Sequence, residues 1–355
     1  MEPLVAADAL RDAIRRLAGG DSLSQRQTAA AFTDVMEGSA SPAQIAALLI
    51  GLRVKGETAD EVAGAAMAMR AAMIALPARD PASLVDTCGT GGGALSTFNI
   101  STAAALVAAG AGARVAKHGN RSFTSRCGSA DVLEALGVDI EASVVVASDV
   151  LEEAGIVFMY APLMHPAMRH VGPVRRELSV PTVMNIVGPL ANPASAGRQV
   201  IGVADADRVE LLAGALAALG SVHALVVHGQ PGLDEISPLG RTLVLEVREG
   251  VISQWFIDPA SLGLPDVTPA ELAGGSPAEN AALVAEVLAG GGPAGARAAV
   301  ALNAAAALYA AAVVEDFPAG LRLANEALHD GAGATALDRM RTAYSAAAAR
   351  HRWTK

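Results

Sequence analysis

SLVDTCGTGGGALSTFNISTAAALVAAGAGARVAKHG, residues 83–119, decides the architecture. A short apolar run ends in glycines at 89–93. NISTAAALVAAG (99–110) then has helical composition, and ARVAKHG (113–119) reads as a second strand. The alternation continues with the predicted helix SADVLEALG (129–137), capped by Ser129 and ended by Gly137. A helix at VVVASDVLEEAG (144–155) and a strand at IVFMYA (156–161) follow. QVIGVA (199–204), a helix from about Asp207 to Leu219 and HALVVHG (223–229) repeat the pattern. Strand–helix alternation implies parallel strands joined by crossovers. TLVLEV (242–247), a turn at Glu249–Gly250 and VISQWFI (251–257) read as a hairpin on one edge.

Toward the N-terminus the pattern is helical only. Ser24 with Gln27, Ser41 with Gln44 and Thr58 with Glu61 have capping-box spacing. Pro42 suits a first helical position, and Gly56 suits a helix stop. Ile45, Leu48, Leu49 and Leu52 share one helical face. The C-terminal part is again helical. Its stretch AAVALNAAAALYAAAVV (298–314), interrupted by Asn303, is shorter than the roughly 20 apolar residues of a membrane span and reads as a buried helix. The fold class expected is α/β: a small all-helical unit plus a larger unit with a mostly parallel central sheet flanked by helices.

Composition narrows the function. The chain has 355 residues, 52 % of them hydrophobic but only 3 % aromatic, so Ala, Val, Leu and Gly carry the packing. The net charge of -10 argues against a nucleic-acid partner. The two cysteines, Cys88 and Cys127, cannot form a disulfide framework and lack zinc-like spacing. The first residues lack the basic region of a signal peptide, so a cytoplasmic protein is expected, with no membrane partner.

Four stretches carry chemistry. In the first, Gly89, Gly92 and Gly93 follow a strand, and Thr97, Asn99, Ser101 and Thr102 lie at the start of a helix. Glycines admit backbone N–H groups close to a phosphate, and the helix terminus favours negative charge, although such a loop can equally be a plain tight turn. It matches neither the P-loop nor the dinucleotide fingerprint. The second runs from Lys117 and His118 through Asn120, Arg121, Ser122 and Ser125 to Ser129: a cation, then short hydrogen-bonding groups, together an anion cradle. His118 alone would be an ordinary structural histidine. In the third, Asp234 and Glu235 follow a strand. They can be a solvated turn or, beside a diphosphate, ligands of Mg²⁺. The fourth, Pro173 to Pro193, brings Arg175 and Arg176, each able to grip a carboxylate or to make a surface ion pair. The stretches after Val85, Val115 and Val227 follow strands and should line one crevice.

Together, KHGNRS, GSADVLEALG, VRREL, NIVGPLANP and GLDEIS, in this order and spacing, resemble the anthranilate phosphoribosyltransferase family. The resemblance runs from Asp86 to Ser237, and the helical beginning fits it. It implies transfer of the phosphoribosyl group of phosphoribosyl pyrophosphate (PRPP) to the amine of anthranilate, in tryptophan biosynthesis. It also implies a homodimer built through the small helical domains and two Mg²⁺ ions per subunit. The helical domain would span 1–78 with a returning segment at about 170–195. The large domain would span 79–169 and 196–355.

Carried over by position, Gly89, Gly92, Gly93 and Thr97 would meet PRPP. Asn99, Ile100, Ser101 and Thr102 would hold its pyrophosphate. Lys117, His118, Gly119, Asn120, Arg121, Ser122, Phe123, Thr124 and Ser125, with Ser129, would surround the rest of it. Gly89, Asn120 and Arg175 would address anthranilate. Ser101, Asp234 and Glu235 would be metal ligands, and Lys117, His118, Asn120 and Arg175 the catalytic set. One position departs: where the family's glycine loop ends in an acid, this chain has Gly93. The rival readings are a phosphorylase of the same fold, a phosphoribosyltransferase for another aromatic amine, and a non-catalytic paralogue. An Asp-Glu pair speaks against the first. The acidic charge, with Asn120 and Arg175 kept, speaks against the last.

Overall fold

Four helices come first, α1 (Ala9–Ala18), α2 (Gln25–Met36), α3 (Pro42–Lys55) and α4 (Ala59–Ala72), and capping sets the last three. Ser24, Ser41 and Thr58 each accept from the backbone N–H three residues on, and Gln27, Gln44 and Glu61 return the bond, as the spacing predicts. Glu61 does more. Fully buried, it also accepts from the Leu23 N–H (2.8 Å) and pairs with Lys55 (2.9 Å), which ties the loops of the unit together. The computed structural model describes residues 9–122 and 126–352.

The alternating part is β1 (Val85–Gly89), α5 (Ile100–Gly110), β2 (Val115–Gly119), α6 (Ser129–Ala135), α7 (Val144–Ala154), β3 (Ile156–Tyr160), α8 (Ala161–Met164), α9 (Met168–Leu178), α10 (Met184–Val187), β4 (Arg198–Gly202), α11 (Val209–Ala218), β5 (His223–Gly229), β6 (Thr242–Arg248) and β7 (Val251–Ile257). Helices α12 (Pro277–Leu288), α13 (Ala294–Ala310), α14 (Phe317–His329) and α15 (Ala332–Arg352) complete it. One cap differs from expectation. Ser129 is the first residue of α6 rather than its cap; the cap is Gly128, whose N–H donates to Asp131 Oδ2 (2.8 Å). The carboxylate is the stronger acceptor, and Ser129 Oγ donates instead to the Asn120 carbonyl (3.3 Å).

The seven strands are ordered β3-β2-β1-β4-β5-β6-β7. β1 to β5 pair in parallel, and β6 and β7 form the expected antiparallel edge hairpin. The chain builds outward from β1 through β2 to β3, then resumes on the other side of β1 with β4. That reversal places a crevice beyond the carboxyl ends of β1 and β4, where open α/β sheets bind ligands.

Two apolar cores flank the sheet. One joins α5, α12, α13, α14 and α15, whose many alanines let the helices approach closely; α13 is the buried helix expected there. The other joins α1–α4 with α11 and with Ile201, Val226, Leu245 and Val247 of the sheet. Val171, Val174, Ile186 and Leu190 pack into this second core, as α9 lies against α2 and α3 and α10 against α4. α9 continues through Pro173. Among the described residues, no helix is long and apolar enough to cross a membrane.

Candidate active site

The turn carrying Asp234 and Glu235 sits directly on the ends of β1 and β4. Asp234 Oδ2 accepts from the Gly91 N–H (2.8 Å), and the Thr90 N–H donates to the Gly202 carbonyl (2.9 Å). A Cβ on Gly89 would overlap the Asp234 carboxylate, and one on Gly202 would overlap the Asp234 carbonyl, so both close approaches require glycine. The turn is held from behind by Asn303 of α13. Its amide accepts from the Ile236 N–H (2.9 Å) and donates to the Ile236 carbonyl (2.9 Å). The asparagine that interrupts the apolar helix in sequence therefore fixes the backbone next to the acidic pair.

Lys117 extends from β2 beneath the glycine loop. Its ammonium donates to the Thr87 carbonyl and lies 3.5 Å from Ser101 Oγ. The Ser101 N–H donates to Glu235 Oε1 (3.1 Å). Thus the three stretches that follow β1, β2 and β5 do meet in one crevice, at the N-terminus of α5. Burial raises the Asp234 carboxyl. Burial, then the neighbouring Asp234 charge, pushes Glu235 up to about 8. Among the described residues neither acid has an ion-pair partner within 4 Å, and no three His, Cys, Asp or Glu side chains form a closed metal cage. Two carboxylates and a hydroxyl nearby suit a hard divalent cation that keeps positions open for ligand oxygens and water.

Asp86 is the structural acid of the crevice. Fully buried, it accepts from the His118 N–H (3.1 Å) and from Asn192 Nδ2 (2.7 Å). Desolvation raises its pKa, opposed by Lys117 and these bonds. Asn192 also donates to the Ala116 carbonyl (2.8 Å), so the end of the α8–α10 segment is tied to β1 and β2. The start of that segment is tied as well: the His165 ring lies 5.0 Å from the His118 ring. Burial first, then the His165 and Lys117 charges, lowers His118 to about 3, and burial lowers His165 to about 4. Both are neutral, weak bases near pH 7. His118 Nε2 is buried without a hydrogen-bond partner among the described residues.

In the loop after β2, Asn120 Oδ1 accepts from the Arg121 N–H (2.8 Å). Arg121 turns to α6, pairing with Asp131 (2.9 Å) and Glu134 (2.8 Å), and lies over the Tyr160 ring. It fixes the loop rather than reaching into the crevice. The Ser122 N–H donates to Asp131 Oδ2 (3.2 Å). Phe123, Thr124 and Ser125 lie outside the described residues. Gly92 has the left-handed φ of 80° that glycine tolerates, and Gly119 ends β2 against Ser129. A Cβ on Gly93 would lie 3.3 Å from Asp234 Oδ1. Thr97 is bridged to Ala273; Ile100 is fully buried, and the Thr102 hydroxyl is buried without a partner among the described residues.

Arg175, near the end of α9, is half-buried, and desolvation lowers its pKa. Among the described residues its guanidinium has neither an ion pair nor a hydrogen bond, with Asn120 or any other residue. A desolvated cation without an internal anion is an open site for an external one. Sequence reasoning missed Asn192, His165 and Asn280 as supports of the site. Each is a single polar residue in an ordinary helix- or loop-like context, and its partner in the site is far off in sequence: Asp86 and Ala116 for Asn192, His118 for His165 and Asn99 for Asn280.

The helical part, residues 11–73, matches the glycosyl transferase family helical bundle domain, and residues 81–334 match the a/b domain of the same family. The anthranilate phosphoribosyltransferase of Rubrobacter xylanophilus is 50% identical over 330 residues, covering 93% of this chain and 96% of that one. The chain belongs to the anthranilate phosphoribosyltransferase family. Among solved members of that family, the Thermus thermophilus structure superimposes with a TM-score of 0.88 at 42% identity, covering 94% of this chain and 99% of that one. The Saccharomyces cerevisiae structure in complex with PRPP and Mg gives a TM-score of 0.84 at 26% identity, covering 95% and 98%. The yeast enzyme is also described in complex with 4-fluoroanthranilate.

Proposed function

We propose that this chain transfers the 5-phosphoribosyl group of PRPP to the amino group of anthranilate, giving N-(5-phosphoribosyl)anthranilate and pyrophosphate. The observation that carries this is the convergence of Lys117, Ser101, Asp234 and Glu235 at the α5 N-terminus, beyond the ends of β1 and β4. An anion cradle with a buried ammonium beside two half-buried carboxylates suits a diphosphate with a divalent cation. Ser101, Asp234 and Glu235 would hold the metal, two ions per subunit. Bound Mg²⁺ supplies Lewis-acid neutralisation of charge on the pyrophosphate.

The chain's own residues do the rest. Lys117 offers a fixed positive charge to the leaving pyrophosphate, already desolvated and so not in need of reorganisation. Backbone N–H groups of the glycine loop and of the α5 N-terminus add to it, with Asn99, Ser101 and Thr102. Arg175 grips the anthranilate carboxylate, and Asn120 orients the acceptor so that its amine faces C1 of the ribose. The aromatic amine is neutral near pH 7, so no strong base is required. Neutral His118, a weak base, accords with that. The C1–O bond to pyrophosphate breaks as the N–C1 bond forms, and the amine proton leaves afterwards to solvent.

The helical unit, residues 1–78 with 170–195, would carry the acceptor side. It would also pair two subunits, where α3 and α4 leave Val54 and Met67 exposed. The cytoplasm is the compartment that fits small-metabolite substrates. The test is an assay with PRPP, anthranilate and Mg²⁺ that follows loss of anthranilate fluorescence. Consumption of anthranilate that needs both other components supports the reading. Binding of PRPP without consumption overturns it.

A further inference from the structure

The side chain of Asn99 stands where three loops cross. It comes from the glycine loop at the start of α5, yet it makes no cap bond to that helix. Its Oδ1 accepts from Asn280 Nδ2 (2.9 Å) of α12 and from the Cys127 thiol (3.3 Å), and its Nδ2 donates to the Cys127 carbonyl (3.3 Å). Burial, then the Asp131 charge, pushes the Cys127 thiol up to about 11, so it keeps its proton and can donate.

Asn280 is itself fixed. It is 2 % exposed, and its Oδ1 accepts from the Gly275 N–H (2.6 Å). The segment before it is pinned to the same loop: the Phe98 N–H donates to the Leu272 carbonyl (2.9 Å), the Gly274 N–H to the Ser96 carbonyl (3.0 Å), and Thr97 bridges Ala273. The direction of this chain of bonds is not free. A backbone N–H can only donate, so the Asn280 atom facing Gly275 must be its oxygen. The Asn280 atom facing Asn99 is then NH₂, which needs an acceptor, so Asn99 must turn its oxygen toward Asn280. That leaves the Asn99 NH₂ on the other side. One of its two hydrogens goes to Cys127, and the other has no protein acceptor among the described residues.

We propose that Asn280 is a positioning residue of the PRPP site: its amide fixes the orientation of the Asn99 amide, so that Asn99 offers N–H rather than C=O to the diphosphate. This rests on the placement of Asn99 at the pyrophosphate proposed above. The polarity starts at the Gly275 N–H, passes through two amides and ends at the anion. Reversed, the same amide would present a carbonyl oxygen to a highly charged diphosphate.

The test uses Asn280→Leu and Asn280→Asp in the full chain, with KM for PRPP, KM for anthranilate, kcat and Tm. Leu keeps the approximate shape and removes both the donor to Asn99 and the acceptor of the Gly275 N–H. PRPP KM should rise about 5-fold, the size of one lost hydrogen bond, with anthranilate KM unchanged. Asp keeps the Gly275 bond but turns an acceptor toward Asn99, which must flip. PRPP KM should rise about 50-fold above pH 7, less at lower pH where the introduced carboxyl group can donate. A packing role predicts the opposite order, because Asp is the closer isostere. PRPP KM within about twofold of wild type in Asn280→Leu, or an equal rise in both KM values, overturns the inference. If Asn280→Asp does not fold, the Leu result alone decides. Asn99→Ala is the control. If it weakens PRPP binding while Asn280→Leu does not, only the role of Asn280 fails. If it leaves PRPP binding intact, the placement of Asn99 in the cradle fails with it.

Discussion

Both ends of the sheet bury acids and histidines, but in different states. At the amino end of β5, Glu246 accepts from Tyr309 OH (2.7 Å), His223 Nε2 (2.9 Å) and Trp255 Nε1 (2.9 Å). His223 also packs edge-on against Tyr309. At the carboxyl ends of β1 and β4, Asp234 accepts from the Gly91 N–H and Glu235 from Ser101, neither has an ion-pair partner within 4 Å among the described residues, and burial raises both. Nearby, His118 Nε2 and Thr102 Oγ1 have no hydrogen-bond partner among the described residues. A polar group whose bonds are all made within the chain serves the fold. A buried group left short of them has its capacity available for a ligand. The contrast separates two acids that would look alike by burial alone.

The strongest way to break that contrast is to change Asp234→Asn and Glu235→Gln together. At limiting Mg²⁺ the rate should fall by about 100-fold or more and recover in part as Mg²⁺ is raised. Thermal stability of the metal-free protein should not fall, because the fold disfavours both ionised groups. An unchanged Mg²⁺ titration would mean the pair is only a turn. Glu246→Ala is the mirror experiment. It leaves three donors without their acceptor and should cost about 2–3 kcal/mol of unfolding free energy, read by denaturant titration, with both KM values unchanged. A kinetic effect without a loss of stability would put Glu246 in the wrong class.

Arg175→Ala sharpens the acceptor side. Losing a charge-assisted bond of roughly 1.5–3 kcal/mol should lower kcat/KM for anthranilate about 10- to 100-fold and leave PRPP affinity almost untouched. An equal loss for both substrates would remove Arg175 from the anthranilate site. The smallest effect is expected at Gly93. A carboxylate built there would stand beside Asp234, adding a third acid to the pair. Gly93→Asp should remain active and displace the Mg²⁺ profile by less than about 10-fold; superimposable profiles would take Gly93 out of the metal argument.

Much of this was legible in the sequence where the signal is local. Capping boxes at Ser24, Ser41 and Thr58 mark helix starts because donor and acceptor lie three residues apart. Strand–glycine–helix order placed the loops after β1, β2 and β5 at one end of the sheet. The limits appear where partners are distant. Ser129 looks like a cap, but Asp131 competes for the role two positions on. Arg121 sits in an anion-cradle sequence, but two acids of α6 claim it. Asn280, Asn303 and Asn192 carry no local mark that an amide reaches the crevice, since each bond closes between segments far apart in sequence.

The second core has a consequence for anyone who would take the molecule apart. Helices α1–α4 do not close over their own apolar side. Val171, Val174, Ile186 and Leu190 complete it, and α11 with the β4–β6 face seals it. A fragment ending near residue 78 would therefore expose that face to water and should be sticky in isolation. Conversely, a chain without those helices would leave one side of its sheet bare. Although the helical bundle reads as an appended module, it is a lid bonded to its box, and grafting it onto another scaffold would have to carry the 171–190 segment along.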